Sequence, residues 1–225
     1  MRTATHFYRS SVGKKILVAL TGIVLYGFVV VHMIGNLKVF LGREHFDAYA
    51  RFLREVGEPA LAHGQALWLF RIVLLGAVGV HLLLTWQLTR MSWAARRNGY
   101  EADSDLSFSY ASRTMRWGGV IIALFVVYHL LDLTWGTVHP GFRRDSPYLN
   151  VVSGFRVWWI SLVYIAAMVP LGLHMYHGLW SLTQTLALDL PAVKRWRRPF
   201  SAGLALVVVI GNISIPVAVL AGMVR

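Results

Sequence analysis

Five long apolar runs separated by short polar connections set the layout of this chain, from about residue 16 to 40, 66 to 90, 116 to 138, 156 to 186 and 200 to 223. Each exceeds the ~20 residues that a helix rising ~1.5 Å per residue needs to cross hydrocarbon. The pattern predicts an all-α integral membrane protein: one domain over residues 1–225, built as a five-transmembrane-helix bundle. The connections near residues 41–65 and 91–115 are too short for a soluble domain. Between Arg43 and Leu61 the aromatic and leucine spacing suits a short helix lying in the membrane interface and ending near Pro59.

The polar exceptions inside the apolar runs carry the chemistry. His32, His81, His129 and His174 stand one in each of the first four spans, with His177 three residues beyond the last. An imidazole in hydrocarbon has two ring nitrogens to satisfy and no water to satisfy them, so such residues are costly and usually functional. His6, His45, His63 and His139 fall in the N-terminal segment or in connections and are expected to be solvated surface residues.

Basic residues orient the bundle. Arg2, Arg9, Lys14, Lys15, Arg90, Arg96, Arg97, Arg113, Arg116, Lys194, Arg195, Arg197 and Arg198 fall on one side, against Arg43, Arg51, Arg54, Arg143, Arg144, Arg156 and Arg225 on the other. The richer side is expected to be cytoplasmic, which places the N-terminus inside. Counted from that side, His32 lies ~24 Å and His129 ~20 Å deep, His81 ~14 Å and His174 ~15 Å. An outer pair from spans one and three and an inner pair from spans two and four follow.

Composition narrows the chemistry further. The chain has 22 Lys and Arg against 10 Asp and Glu, a formal charge of +12, but these cations sit between spans and not on one surface. The expected contacts are therefore lipid headgroups and not nucleic acid. The chain contains no cysteine, which removes disulfides, thiolate metal sites and any iron–sulfur cluster of its own. The basic start MRTATHFYRSSVGKK leads into a run too long for a signal peptide core and without a small-residue cleavage site, so it is read as a retained first helix.

Two histidines per layer make a poor zinc site, which takes four ligands or three and a water. Haem takes two axial ligands in a flat apolar slot. Glycines beside the histidines, Gly27 and Gly35 near His32, Gly76 and Gly79 near His81, Gly172 and Gly178 near His174, would let a backbone approach a planar ring. Two stacked haems b are therefore expected, with His32 and His129 as axial ligands of the outer iron and His81 and His174 of the inner. With both axial positions filled, the chemistry is electron transfer. Between His174 and His177 depth does not choose, but Gly178 lies on the face of His174 and favours it. His177 is expected beside the haem or the inner quinone, hydrogen-bonding a propionate, or in core packing.

SSVGKKILVALTG (10–22), VHMIGNL (31–37), VHLLLTWQL (80–88), YHLLDLTWG (128–136) and HMYHGLWSLTQTL (174–186) together resemble the cytochrome b subunit of succinate dehydrogenase and fumarate reductase, the single-polypeptide di-haem type of the succinate:quinone oxidoreductases. The resemblance covers essentially the whole chain. It implies a multi-pass anchor in the cell inner (cytoplasmic) membrane, part of respiratory complex II and the tricarboxylic acid cycle. Its partners would be a flavoprotein subunit carrying FAD and an iron–sulfur subunit, with menaquinone or ubiquinone as membrane substrate and a higher oligomer of the complex as a further expectation. It also implies that the first ligand pairs with the third and the second with the fourth, and it selects His174. Some fumarate-reducing members carry a glutamate two residues before the last ligand, where this chain has Gly172; the difference inclines the reading toward succinate oxidation. The alternatives are a b-type cytochrome anchor for a hydrogenase or formate dehydrogenase and a haem-free transporter whose histidines relay protons. Ser10, Ser11 and Lys14 at the inner face, and His45, Glu58 and His63 at the outer, are candidates for a quinone site by polarity and depth alone.

Overall fold

Helix makes up 84% of the structure, and no strand occurs among the described residues. This computed structural model describes residues 7–95, 106–188 and 190–225, with side chains in the fourth helix from Thr114 onward. Arg2, His6, Arg96 and Arg97 lie outside the described residues, as does the side chain of Arg113.

Helix α1 runs from Ser11 to Asn36. Ser10 starts it, its hydroxyl accepting from the Gly13 amide at 2.9 Å and donating to the Phe7 carbonyl at 2.8 Å, which satisfies a donor that the first turn leaves without an intrahelical partner. Ser10 therefore has a structural task at the place where a quinone contact was considered. A 3-10 turn, Leu37–Leu41, ends at Gly42 with φ 92°, a conformation that L side chains rarely adopt. The expected interfacial helix is α2, Arg43–Glu55, which stops before Gly57 and not at Pro59. Then follow α3 (Gln65–Ala95), α4 (Leu106–His129) continuing into a π turn at Leu130–Thr134, α5 (Pro147–Arg156), α6 (Trp158–Thr185) and α7 (Pro191–Leu220).

Among the described residues, five helical segments are long and apolar enough to cross a membrane: Ser11–Leu41, Gln65–Ala95, Thr114–Thr134, Trp158–Thr185 and Pro191–Leu220. The chain is thus a multi-pass membrane protein by length and composition. The fifth helix begins nine residues earlier than the apolar pattern indicated, because α7 carries its basic segment Lys194–Arg198 in helical form. Trp68, Trp93, Trp158 and Trp159 lie exposed near the ends of their helices, as interfacial anchors do.

α6 packs along α7, α1 along α3 and α4 along α6, while α1 also touches α6 and α7. The α1–α3 and α4–α6 pairs therefore meet chiefly through α1 and α6. The tightest packing lies at the end opposite the start of α1, where Val39, Phe46, Tyr148, Val152, Phe155, Ile160, Tyr164 and Ile215 form one cluster. A smaller cluster of Met33, Met175, Ala205 and Val208 joins α1 to α6 and α7. Asp47 of α2, buried, ties the two connecting helices together. It accepts from the Ser146 hydroxyl at 2.6 Å and from the Tyr148 amide at 3.0 Å, so α2 supplies a carboxylate to the N-terminus of α5.

Candidate cofactor-binding site

The four histidines come together in two pairs. The rings of His32 on α1 and His129 on α4 face each other edge to face, with centroids 5.9 Å apart. Those of His81 on α3 and His174 on α6 are 6.3 Å apart. Each pair bridges the two helix pairs, and the His32–His129 pair lies toward the end where α1 finishes. This is the first-with-third and second-with-fourth pairing that depth along straight helices requires.

The surroundings of the two pairs differ in a regular way. His32 stacks on Phe28 at 5.2 Å and His129 lies against Phe125 at 6.0 Å, in each case the residue one turn earlier on the same helix. The other pair is flanked by glycines instead. A Cβ on Gly22 of α1 would stand 3.7 Å from Cε1 of His81, and one on Gly119 of α4 would stand 3.9 Å from Cε1 of His174. Gly119 is remote in sequence from His174, and spacing along one helix gave no signal for it.

The glycines named from sequence divide. A Cβ at Gly27, Gly76, Gly79 or Gly178 would meet nothing within 4 Å, so those positions border open space. Gly35 and Gly172 do not. A Cβ at Gly35 would fall 2.7 Å from the Tyr49 ring, and one at Gly172 would fall 2.6 Å from Cγ2 of Val209. These two glycines admit neighbouring side chains of α2 and α7, and the expectation that they shape a cofactor slot is corrected accordingly. A larger side chain at position 172, a glutamate included, would meet the same Val209 contact.

The donor chemistry suits a group held by two histidines per site. No group of three or more His, Cys, Asp or Glu able to hold a metal ion occurs among the described residues, so donors are offered two at a time. Nδ1 of His129 and Nδ1 of His174 are buried without a hydrogen-bond partner, a cost of about 1–3 kcal/mol each if nothing else occupies the site. The facing rings, 5.9 and 6.3 Å apart between centroids, are close enough for one group to be held by both histidines of a pair. His81 is held from behind: its Nδ1 lies 3.0 Å from the Thr21 hydroxyl.

His177 does not join the His81 ring. It lies against Trp180, with centroids 5.3 Å apart, and Trp180 in turn lies under the guanidinium groups of Arg197 and Arg198 at 5.8 and 5.1 Å. Of the other candidates, Lys14 is buried, donating from Nζ to the Tyr8 carbonyl at 2.8 Å. His63 and Glu58 form an exposed pair at 3.0 Å, and His45 is exposed.

His139 overturns the sequence expectation. It is buried, with Nδ1 2.7 Å from Oδ1 of Asp132 and Nε2 3.0 Å from Oγ of Ser153. The Tyr164 hydroxyl donates to the other carboxylate oxygen of Asp132 at 2.7 Å. Asp132 is completely buried in the π turn that follows His129, and π turns recur at functional sites. Sequence reading missed this cluster, although a lone Asp in the apolar run LLDLTW was a signal.

No protein-family profile, no curated protein and no solved structure matches the chain.

Proposed function

We propose that this chain is the di-haem cytochrome b anchor of a succinate:quinone oxidoreductase. The observation that carries the reading is the pair of facing bis-histidine sites, 5.9 and 6.3 Å between ring centroids, at two depths of a five-helix membrane bundle. His32 with His129, and His81 with His174, would hold the iron of two b haems. A haem held there by two histidines would supply one-electron transfer.

The chain's own residues serve that chemistry in distinct ways. Phe28 and Phe125 pack the His32–His129 pair into apolar surroundings that exclude water. Gly22 and Gly119 leave room against the other pair, and Thr21 orients His81. The excess of cations on the side of the bundle that carries the N-terminus would turn that face to the cytoplasm. There it docks a flavoprotein and an iron–sulfur subunit, whose FAD and clusters feed electrons through the anchor to a membrane quinone. With no cysteine in the chain, clusters must come from a partner.

The test is a pyridine haemochrome assay on the purified chain, for which two haems per polypeptide are expected. A ratio near zero removes the reading. Mild-detergent extraction of the tagged protein should recover a flavin-bearing and a cluster-bearing subunit with succinate:quinone activity; recovery with hydrogenase or formate dehydrogenase subunits would keep the haems and replace the partner.

A further inference from the structure

At the end of the bundle where α1 finishes, four arginines far apart in sequence meet around one cavity of about 530 Å³, a volume within the range of small-ligand sites. Arg43 starts α2, Arg143 stands in the connection before α5, Arg156 ends α5 and Arg225 follows α7. Leu149 and Val152 of α5 supply apolar wall, and among the described residues no Asp or Glu side chain lines the cavity.

Polar groups of α5 and its neighbours set these arginines in place. Asn150, buried on α5, clamps the Arg143 backbone: its Oδ1 accepts from the Arg143 amide at 2.8 Å and its Nδ2 donates to the Arg143 carbonyl at 2.7 Å. The Tyr148 hydroxyl donates to the Arg225 carbonyl at 2.9 Å. Nε of Arg43 lies 3.5 Å from Oδ2 of Asp47, the carboxylate that also receives the Ser146 hydroxyl and the Tyr148 amide. All four arginines are thus tied to one short helix, the last of them, Arg156, by belonging to it.

Gathering four guanidinium groups is unfavourable by itself. They are charged at every physiological pH, and like charges held together repel. Asp47 compensates Arg43 alone; among the described residues no Asp or Glu pairs with Arg143, Arg156 or Arg225. An anion in the cavity would offset the repulsion, whereas a neutral quinone would leave it in place. Guanidinium presents paired N–H donors that match two oxygens of a phosphate.

Depth in the membrane selects the form of that phosphate. α6 starts two residues after Arg156, with Trp158 and Trp159 exposed, and tryptophans of this kind gather at headgroup level. Leu162, one turn further on the face of Trp158, is exposed too and begins the hydrocarbon side. A phosphate at this level with acyl chains running down α6 is that of a lipid. We propose that the cavity binds the headgroup phosphate of an anionic phospholipid, with Arg143 and Arg156 as its principal donors and Arg43 and Arg225 completing the positive field.

The experiment is native mass spectrometry of the full chain in mild detergent, titrated with phosphatidylglycerol, with phosphatidylcholine and with inorganic phosphate. The wild-type chain should take up one phosphatidylglycerol ahead of phosphatidylcholine, and excess inorganic phosphate should not displace it. Arg143→Gln combined with Arg156→Gln should weaken this first binding about tenfold or more, as loss of a charge-assisted hydrogen bond does. Arg51→Gln combined with Arg54→Gln removes the same charge from α2 outside the cavity and should leave the binding unchanged. Should the first pair not fold, as judged by circular dichroism, Arg156→Gln alone, at an exposed helix end, decides. Equal weakening by both pairs, or an Arg156→Gln chain that binds as wild type, overturns the site. Equal uptake of the two lipids overturns the anionic preference, and displacement by inorganic phosphate overturns the lipid as occupant.

Discussion

The Thr21 hydroxyl lies 3.0 Å from Nδ1 of His81 and, from the same oxygen, 2.9 and 3.0 Å from the Leu17 and Val18 carbonyls of its own helix. A hydroxyl has one proton. With two carbonyls at hand to receive it, Thr21 accepts from Nδ1–H, which leaves the lone pair of His81 on Nε2. A residue on α1 thus fixes which nitrogen of an α3 histidine keeps its lone pair.

Thr21→Val should therefore weaken cofactor retention at the His81–His174 site about 10–100-fold, as loss of a partner behind a metal-bound histidine generally does. Thr21→Ser, which keeps the oxygen, should behave as wild type. Haem content after extended dialysis, together with the low-temperature spectrum of each centre, reads the difference. Equal loss at both centres would mean that Thr21 acts on the fold and not on His81.

The glycines beside the same pair make a graded prediction. At Gly119 a Cβ would stand 3.9 Å from His174, an ordinary contact, so Gly119→Ala should be tolerated. Gly119→Leu fills the approach to the ring and should abolish the His81–His174 centre while the His32–His129 centre survives. Retention of both haems by the leucine variant would show that the cofactor approaches from another side.

Gly172 behaves differently because its missing Cβ is occupied by Val209 at 2.6 Å. Even Gly172→Ala should overpack the α6–α7 contact, costing about 1–3 kcal/mol, with both haem spectra unchanged. Thermal unfolding in detergent, followed by circular dichroism, measures it. The double substitution with Val209→Ala should restore much of the loss, and no restoration would place the cost elsewhere.

Much of this organisation was legible because a membrane span converts sequence position into depth. His32, His81, His129 and His174 could be sorted into layers by counting residues, and the pairs at 5.9 and 6.3 Å follow that sorting. What lay outside reach was set by contacts between segments. His139 looked like a solvated loop residue until α5 folded over it; a Cβ at Gly154 would fall 2.8 Å from its ring. Nothing within Gly35 or Gly172 distinguishes a slot from a packing contact, since the distinction belongs to Tyr49 and Val209. The N-terminal extension of α7 was hidden because its basic residues interrupt the apolar pattern without interrupting the helix.

His174 and His177 give the most direct test of the site. Three residues amount to only ~4.5 Å along a helix, so both lie near the depth of His81. They differ in direction: three residues turn ~300° around the axis, a net offset of ~60°, and the His174 ring meets His81 at 6.3 Å whereas that of His177 meets Trp180 at 5.3 Å. His174→Ala should then remove the haem held with His81 and leave the other centre detectable in low-temperature spectra. His177→Ala should retain both haems, and with Trp180 deprived of its neighbour at most the potential of the His81–His174 centre should shift. If His177→Ala instead removes a haem and His174→Ala does not, the ligand role passes to His177, and α6 would have to rotate by ~60° to bring it against His81.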